Sequence, residues 1–290
     1  MSKVDNIGFI QGRLSEIVDN KIQAFPWIHW QHEFPIAEKY GFHFIEWTLD
    51  QERLYSNPLL TSSGQMKILK LCEKHHILIP SLTGDCFMQE PFWKADGDRI
   101  YDLKKDFLAI ASACSKVGIE MIVVPLVDNG SLDTKEQQDL LISFLQDNLS
   151  FFEDNNLQII FESDFAPSEL AIFIDRLPLE VFGINYDIGN SAALGYSPTE
   201  EFAAYGHRIM NVHIKDRMLF GSTVPLGEGS ADFEQVFSLL SQIGYSGNLI
   251  LQTARAIDND HAKSLCKFRD MVMQWMLKFN IKLERDLNGT

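Results

Sequence analysis

Four residues of metal-binding type stand where apolar runs end. Glu162 follows Ile159-Ile160-Phe161, Asp187 follows Ile184-Asn185-Tyr186, His213 follows Met210-Asn211-Val212, and Gln252 follows Leu249-Ile250-Leu251. A neutral imidazole nitrogen, two anionic carboxylates and one amide oxygen make a donor set suited to Mn²⁺, Mg²⁺, Co²⁺ or Zn²⁺, and the residue types do not choose among these cations. Taken singly, each has a plainer use: Glu162 and Asp187 as loop caps or supports, His213 as a hydrogen-bonded core histidine. Their recurrence at successive strand ends favours one shared metal or polar-ligand site. In an extended strand, Asn211, His213 and Lys215 point to one side, and Val212 and Ile214 to the other.

Cations surround the same stretches. Lys215, Arg217 and Arg255 lie at or beyond the ends of two of these runs, and Arg13 follows the first strand-like run of the chain. Together they are candidates to grip an anionic group on a substrate, and Glu46, at another strand end, joins them as a substrate contact or proton-transfer group. The loop Pro225-Leu226-Gly227-Glu228-Gly229-Ser230 runs straight into a helix at Asp232-Phe233, a design that holds phosphate on backbone N–H groups in some barrels. The competing use is a structural network in which Lys215 and Arg217 pair with Asp216, Asp187 or Glu228. Trp27, Trp30, Trp47, Phe87, Phe92 and Trp93 fall in or near early strand-end loops, where rings either stack on a sugar or cover the end of a core. The chain has no Gly-x-Ser-x-Gly and no reactive-cysteine context.

Such residues, scattered from position 13 to position 255, meet only if the elements carrying them converge. Eight strand-like runs recur, near Ile7, Phe42, Ile77, Met121, Ile159, Ile184, Met210 and Leu249, separated by helical patterns. Asp98 to Val117, with Ile100, Leu103, Phe107, Ile110, Ala111 and Cys114 at helical spacing, is one; others open at Ser62, Thr134, Pro167, Pro198, Phe233 and about Asp260. Ser62-Ser63-Gly64-Gln65 reads as a capping box. Strand–helix alternation predicts a (β/α)₈ TIM barrel, an α/β fold, over residues 1–290 as a single domain. An open doubly wound sheet is the alternative, and it lacks the glycine-rich turn after the first strand.

The 290 residues, 46% hydrophobic and 22% charged, can bury a full core, and the net charge of −15 opposes binding to nucleic acid or an anionic membrane. No signal-like N-terminus or membrane-length apolar run is present. The four cysteines show no paired metal spacing and read as reduced thiols, so the expected location is cytoplasmic. A barrel of this size and acidity is compatible with a monomer or a homodimer.

The motifs Gln11-Gly12-Arg13-Leu14-Ser15, Asp187-Ile188-Gly189-Asn190, His213-Ile214-Lys215-Asp216 and Pro225 through Phe233 resemble the xylose-isomerase-like barrel superfamily, and within it the ketose 3-epimerases and pentulose-5-phosphate 3-epimerases. The likeness extends over essentially the whole chain. It implies a sugar or sugar-phosphate isomerase or epimerase with a divalent cation, Glu162, Asp187 and His213 as three of four ligands, and Glu162 as an acid–base catalyst as well. Endonuclease IV shares the superfamily but uses many histidines; this chain has 8 and an acidic balance. One position departs from the pattern. Where those epimerases carry a second glutamate on the last strand, this chain has Gln252, which can coordinate but cannot move a proton. Glu46, Asp85, Asp164, Lys215 and Glu228 are candidates for the missing group. An aldose–ketose isomerase needing one base, a dehydratase on the same scaffold and a non-catalytic carbohydrate-binding barrel are the other readings.

Overall fold

The computed structural model describes residues 3–282 and 284–286. Eight parallel strands close into a barrel: β1 (Ile7–Ile10), β2 (Phe44–Thr48), β3 (Ser81–Thr83), β4 (Met121–Leu126), β5 (Gln158–Ser163), β6 (Phe182–Asp187), β7 (Ile209–Ile214) and β8 (Asn248–Leu251). β8 pairs back onto β1 and leaves the sheet no edge. The expected (β/α)₈ architecture is therefore present.

Helices wrap the outside. They include α1 (Glu33–Lys39), α2 (Ser62–His75), α3 (Asp98–Lys116), α4 (Lys135–Asp147), α5 (Pro167–Ile174), α6 (Pro198–Tyr205), α7 (Phe233–Gln242) and α8 (His261–Lys278). Their inner faces and the outward-facing strand residues form one continuous core that holds Phe9, Trp47, Phe107, Phe152, Phe161, Phe182 and Phe237 fully buried. A separate small cluster, Met121, Val123 and Ile160 with Met210 against it, lies on the other face of the strands. Gly183 makes room for it: a Cβ there would come within 2.5 Å of Met210 Sδ. Among the described residues, no helix is long and apolar enough to cross a membrane.

Three local expectations shift, each for a physical reason. The third apolar run is strand only over Ser81–Thr83, because Pro80 has no N–H for the ladder; Leu78 touches Phe44 through an isolated bridge. The sixth run stops at Asp187, whose side chain accepts a hydrogen bond from the Asn190 N–H (2.8 Å) and so caps a short helix, Ile188–Leu194. The cap of α2 is Thr61, not Ser62: Thr61 Oγ1 accepts from Gly64 N–H, and Gln65 turns away to donate to the Leu59 carbonyl.

Candidate active site

Period-two alternation sets a polar layer inside the barrel. Asn185 and Asp187 on β6, and Asn211 and His213 on β7, fall two residues apart, and Asp187 lies beside His213 in the register of these strands. Glu162 is the fifth residue of β5, beside Pro125 of β4. Glu162, Asp187 and His213 are all buried, and each places a potential ligand atom within 4.8 Å of the others.

His213 is the pivot. Its Nε2–H donates to Glu46 Oε1 at 2.7 Å, which directs Nδ1 toward Glu162 Oε2 (3.2 Å) and Asp187 Oδ2 (3.9 Å). Burial by itself would lower the imidazole pKa, but the Glu46 and Glu162 carboxylates override it and raise the value to about 10. The same pairing works on Glu162. Burial disfavours its charge, yet the His213 hydrogen bond and the charges of His213 and Lys215 hold its carboxyl below the usual range. Asp187 moves the other way, pushed up by burial against the pull of Lys215. Asn185 donates to Glu162 Oε2 (3.0 Å) and Asn190 to Oε1 (2.6 Å), so the carboxylate is fixed on both oxygens.

Gln252, the fourth expected ligand, lies just past β8. Its amide donates to Gln23 Oε1 at 2.9 Å, while its Oε1 is buried with no hydrogen-bond partner among the described residues. An orphaned buried oxygen at a mouth that also holds two carboxylates and an imidazole fits a cation ligand. Glu162, Gln252, Lys215 and Arg217 line one cavity of about 620 Å³, within the range of small-molecule sites.

The other expected contacts are placed differently. Glu46 is fully buried behind His213, where it also accepts hydrogen bonds from Ser81, Thr83 and Asn211; it supports the histidine and is not on the cavity wall. Arg13 donates to the carbonyls of Thr253 and Ile22, and Arg255 to those of Gly12 and Ser15. Neither lines the cavity; they staple the loop after β1 to the end of β8. Lys215 donates to Asp187 Oδ2 (3.2 Å), and Arg217 to Asn190 Oδ1 (2.8 Å) and to the Gly221 carbonyl. Of the six aromatic residues in early loops, five are buried in the core and Trp27 is half-buried under Arg53; the ring that does reach the cavity is the exposed Phe220.

The glycine-rich loop also departs from expectation. The N–H groups of Gly227 (2.8 Å), Gly229 (2.9 Å) and Ala231 (3.1 Å) all point at the buried Asp216 carboxylate. The anion in this nest is the chain's own side chain, which leaves these amides unavailable to a phosphate. Asp216→Asn replaces one accepting oxygen by a donor facing N–H groups. It is expected to cost about 2–4 kcal/mol in urea unfolding, and a loss below about 1 kcal/mol would mean that the nest finds other partners.

Gly12 explains another buried carboxylate, that of Glu33. At φ +92° it turns its N–H to Glu33, which also accepts from Leu14. Burial raises the Glu33 pKa from 4.5 to about 7, against the lowering effect of those amides. A pKa raised by folding gives stability that is full below about 4.5 and is lost as pH climbs through about 7. Unfolding measured from pH 4.5 to 8 is expected to show this decline, and Glu33→Gln should flatten it; an unchanged slope would assign the decline to other groups.

Sequence reasoning missed Gln23, Asn185 and Asn190. For the last two a signal existed: Asn185 is two residues before Asp187 on a strand, and Asn190 is the third residue after a capping aspartate. Gln23 sits in an irregular loop and carries no such signal.

The family model described as xylose isomerase-like TIM barrel matches residues 34–269. L-ribulose-5-phosphate 3-epimerase UlaE of Escherichia coli O157:H7 (strain EC4115 / EHEC) is 36% identical over 274 residues, covering 86% of this chain and 90% of that protein. The crystal structure of IolI protein with a bound zinc atom superposes with TM-score 0.72 at 17% identity, covering 94% of this chain and 98% of the other. D-allulose 3-epimerase from Methylomonas sp., solved in complex with D-allulose, superposes with TM-score 0.73 at 15% identity, covering 94% and 98%.

Proposed function

This chain belongs to the xylose isomerase-like TIM barrel family, and on that premise we propose that it interconverts epimers of a ketose or ketose phosphate by moving the proton α to the carbonyl. The observation that carries the proposal is the convergence of Glu162, Asp187 and His213 beside one cavity, with the partnerless Gln252 oxygen at the same mouth. These four residues would hold a divalent cation, which would supply Lewis-acid polarisation of the substrate oxygens.

The chain's own residues do the rest. Glu162 takes the α-proton; the nearby Lys215 ammonium favours its ionised form, and Asn185 and Asn190 hold its two oxygens in place. Lys215, beside Asp187 at the cavity wall, offers an ammonium to the oxygen on which charge develops. Arg217 acts through Asn190, since its guanidinium is already bonded there.

The test is a screen. Purified protein with Mn²⁺, Co²⁺, Mg²⁺ or Zn²⁺ is incubated in D₂O with D-allulose and with L-ribulose 5-phosphate, and C3 deuteration and epimer formation are followed by NMR. Deuterium at C3 together with the C3 epimer is expected for one of them. Loss of water from the sugar, read as an ultraviolet-absorbing product, would assign a dehydratase instead, and binding without exchange a carbohydrate-binding barrel.

A further inference from the structure

Epimerisation returns the proton to the face opposite the one it left, so two proton-transfer groups are needed. Glu162 is one, and Gln252 cannot be the other. We propose that Asp85 is that second group, acting from the wall built by the Gln252–Gln23–Asp85 row. The inference rests on the epimerase reading above.

The row is continuous. Gln252 Nε2 donates to Gln23 Oε1 (2.9 Å), and Gln23 Nε2 donates to Asp85 Oδ2 (2.7 Å). It runs from the end of β8, over the loop after β1, to Asp85 two residues past β3, and all three side chains line the cavity that Glu162 lines from β5. Gln23 thus does two things: it takes up the Gln252 amide, leaving that residue's oxygen facing inward, and it fixes a carboxyl on the same flank.

Among the described residues, the Asp85 side chain makes one hydrogen bond, the one it accepts from Gln23. It opens the short helix Asp85–Gln89, but the cap residue of that helix is Gly84, and no side chain caps it. A carboxyl that is 8% exposed and held by one amide is costly to ionise. Burial raises its pKa from 3.8 to about 7, with Asp50 and Glu162 adding to the rise, and Gln23 and Lys215 opposing it. Glu162 and Asp85 line the same cavity from different strand ends, so two carboxyl groups can reach one ligand.

The alternatives are less suited. Asp164 accepts from Ser131 and belongs to the β5 flank that already carries Glu162. Glu46 is sealed behind His213, and Lys215 is bonded to Asp187. Glu228 does not line the cavity.

The step balances. The Glu162 carboxylate takes the proton from the carbon α to the ketone, and the C–H pair becomes part of the enediolate. The Asp85 carboxylic acid then gives its proton to the same carbon from the other side. Glu162 ends protonated and Asp85 ionised, and exchange with water restores both after release. The reverse reaction swaps the roles.

Asp85→Asn keeps the size of the side chain and an oxygen for Gln23. With the ketose that the wild type epimerises, and with the same metal in D₂O, this variant is expected to form the epimer at least about 100-fold more slowly. Exchange at C3 of the recovered substrate, with configuration retained, should fall by less than about 5-fold, because Glu162 still works on its own face. Asp85→Glu should regain part of the epimer formation. Epimerisation within about 5-fold of wild type in Asp85→Asn overturns the proposal, as does an equal loss of exchange and epimerisation. A wild type that neither exchanges nor converts any ketose overturns this inference together with the epimerase reading; the first two outcomes overturn this inference alone.

Discussion

Glu162→Gln is expected to reduce C3 exchange and epimer formation together by about 10³-fold or more, since the amide retains the shape and an oxygen but cannot accept the proton. The geometry makes this a demanding substitution. Asn185 and Asn190 both donate to the Glu162 carboxylate, and an amide NH₂ in place of either oxygen would face one of those donors. Metal content measured alongside separates the two roles assigned to this residue. A variant that keeps its metal and loses exchange isolates the proton-transfer role. Exchange above about a tenth of wild type would remove Glu162 from that role and move the search to Asp164, which lines the same cavity.

His213→Ala is expected to abolish metal binding. Residues that support a ligand already cost about 10–100-fold in affinity when changed, so removing the ligand itself should exceed that range. Elemental mass spectrometry is expected to fall from about one metal per chain to none detected. The same change strips Glu46 of its imidazole partner and leaves a fully buried carboxylate whose remaining partners are neutral donors. A buried charge without its partner typically costs about 3–5 kcal/mol, so a lower unfolding midpoint should accompany the metal loss. His213→Gln, which can still donate toward Glu46, serves as the folded control. Full metal occupancy in His213→Ala would place the cation elsewhere.

The barrel was legible because its strands are apolar runs with polar ends, and because helical spacing separates them; burial on both faces leaves little else such sequences can do. The cluster Glu162, Asp187 and His213 was legible for the same reason, as residues at strand ends converge on one mouth. What residue types could not show is which polar partner each charge finds. Arg13, Arg255 and Glu46 have the chemistry of substrate contacts, yet Arg13 and Arg255 close on backbone carbonyls and Glu46 on His213. The Pro225–Ser230 loop has the composition of a phosphate nest, and Asp216 fills it. In each case the deciding fact is a long-range contact. Gln23 is the sharpest instance, since its meaning depends on partners 62 and 229 residues away.

Asp187 both faces His213 and begins the helix Ile188–Leu194, whose Asn190 holds Glu162. Its one side chain therefore has two jobs. A descendant that abandoned its cation would still need an aspartate here to start that helix, so the persistence of this residue is a weak sign of retained chemistry. Drift should be read first at Glu162 and Gln252, whose side chains have no helix to begin. A lineage turning from enzyme to binding protein is expected to lose those two while its Asp187-Ile188-Gly189-Asn190 motif outlives the activity.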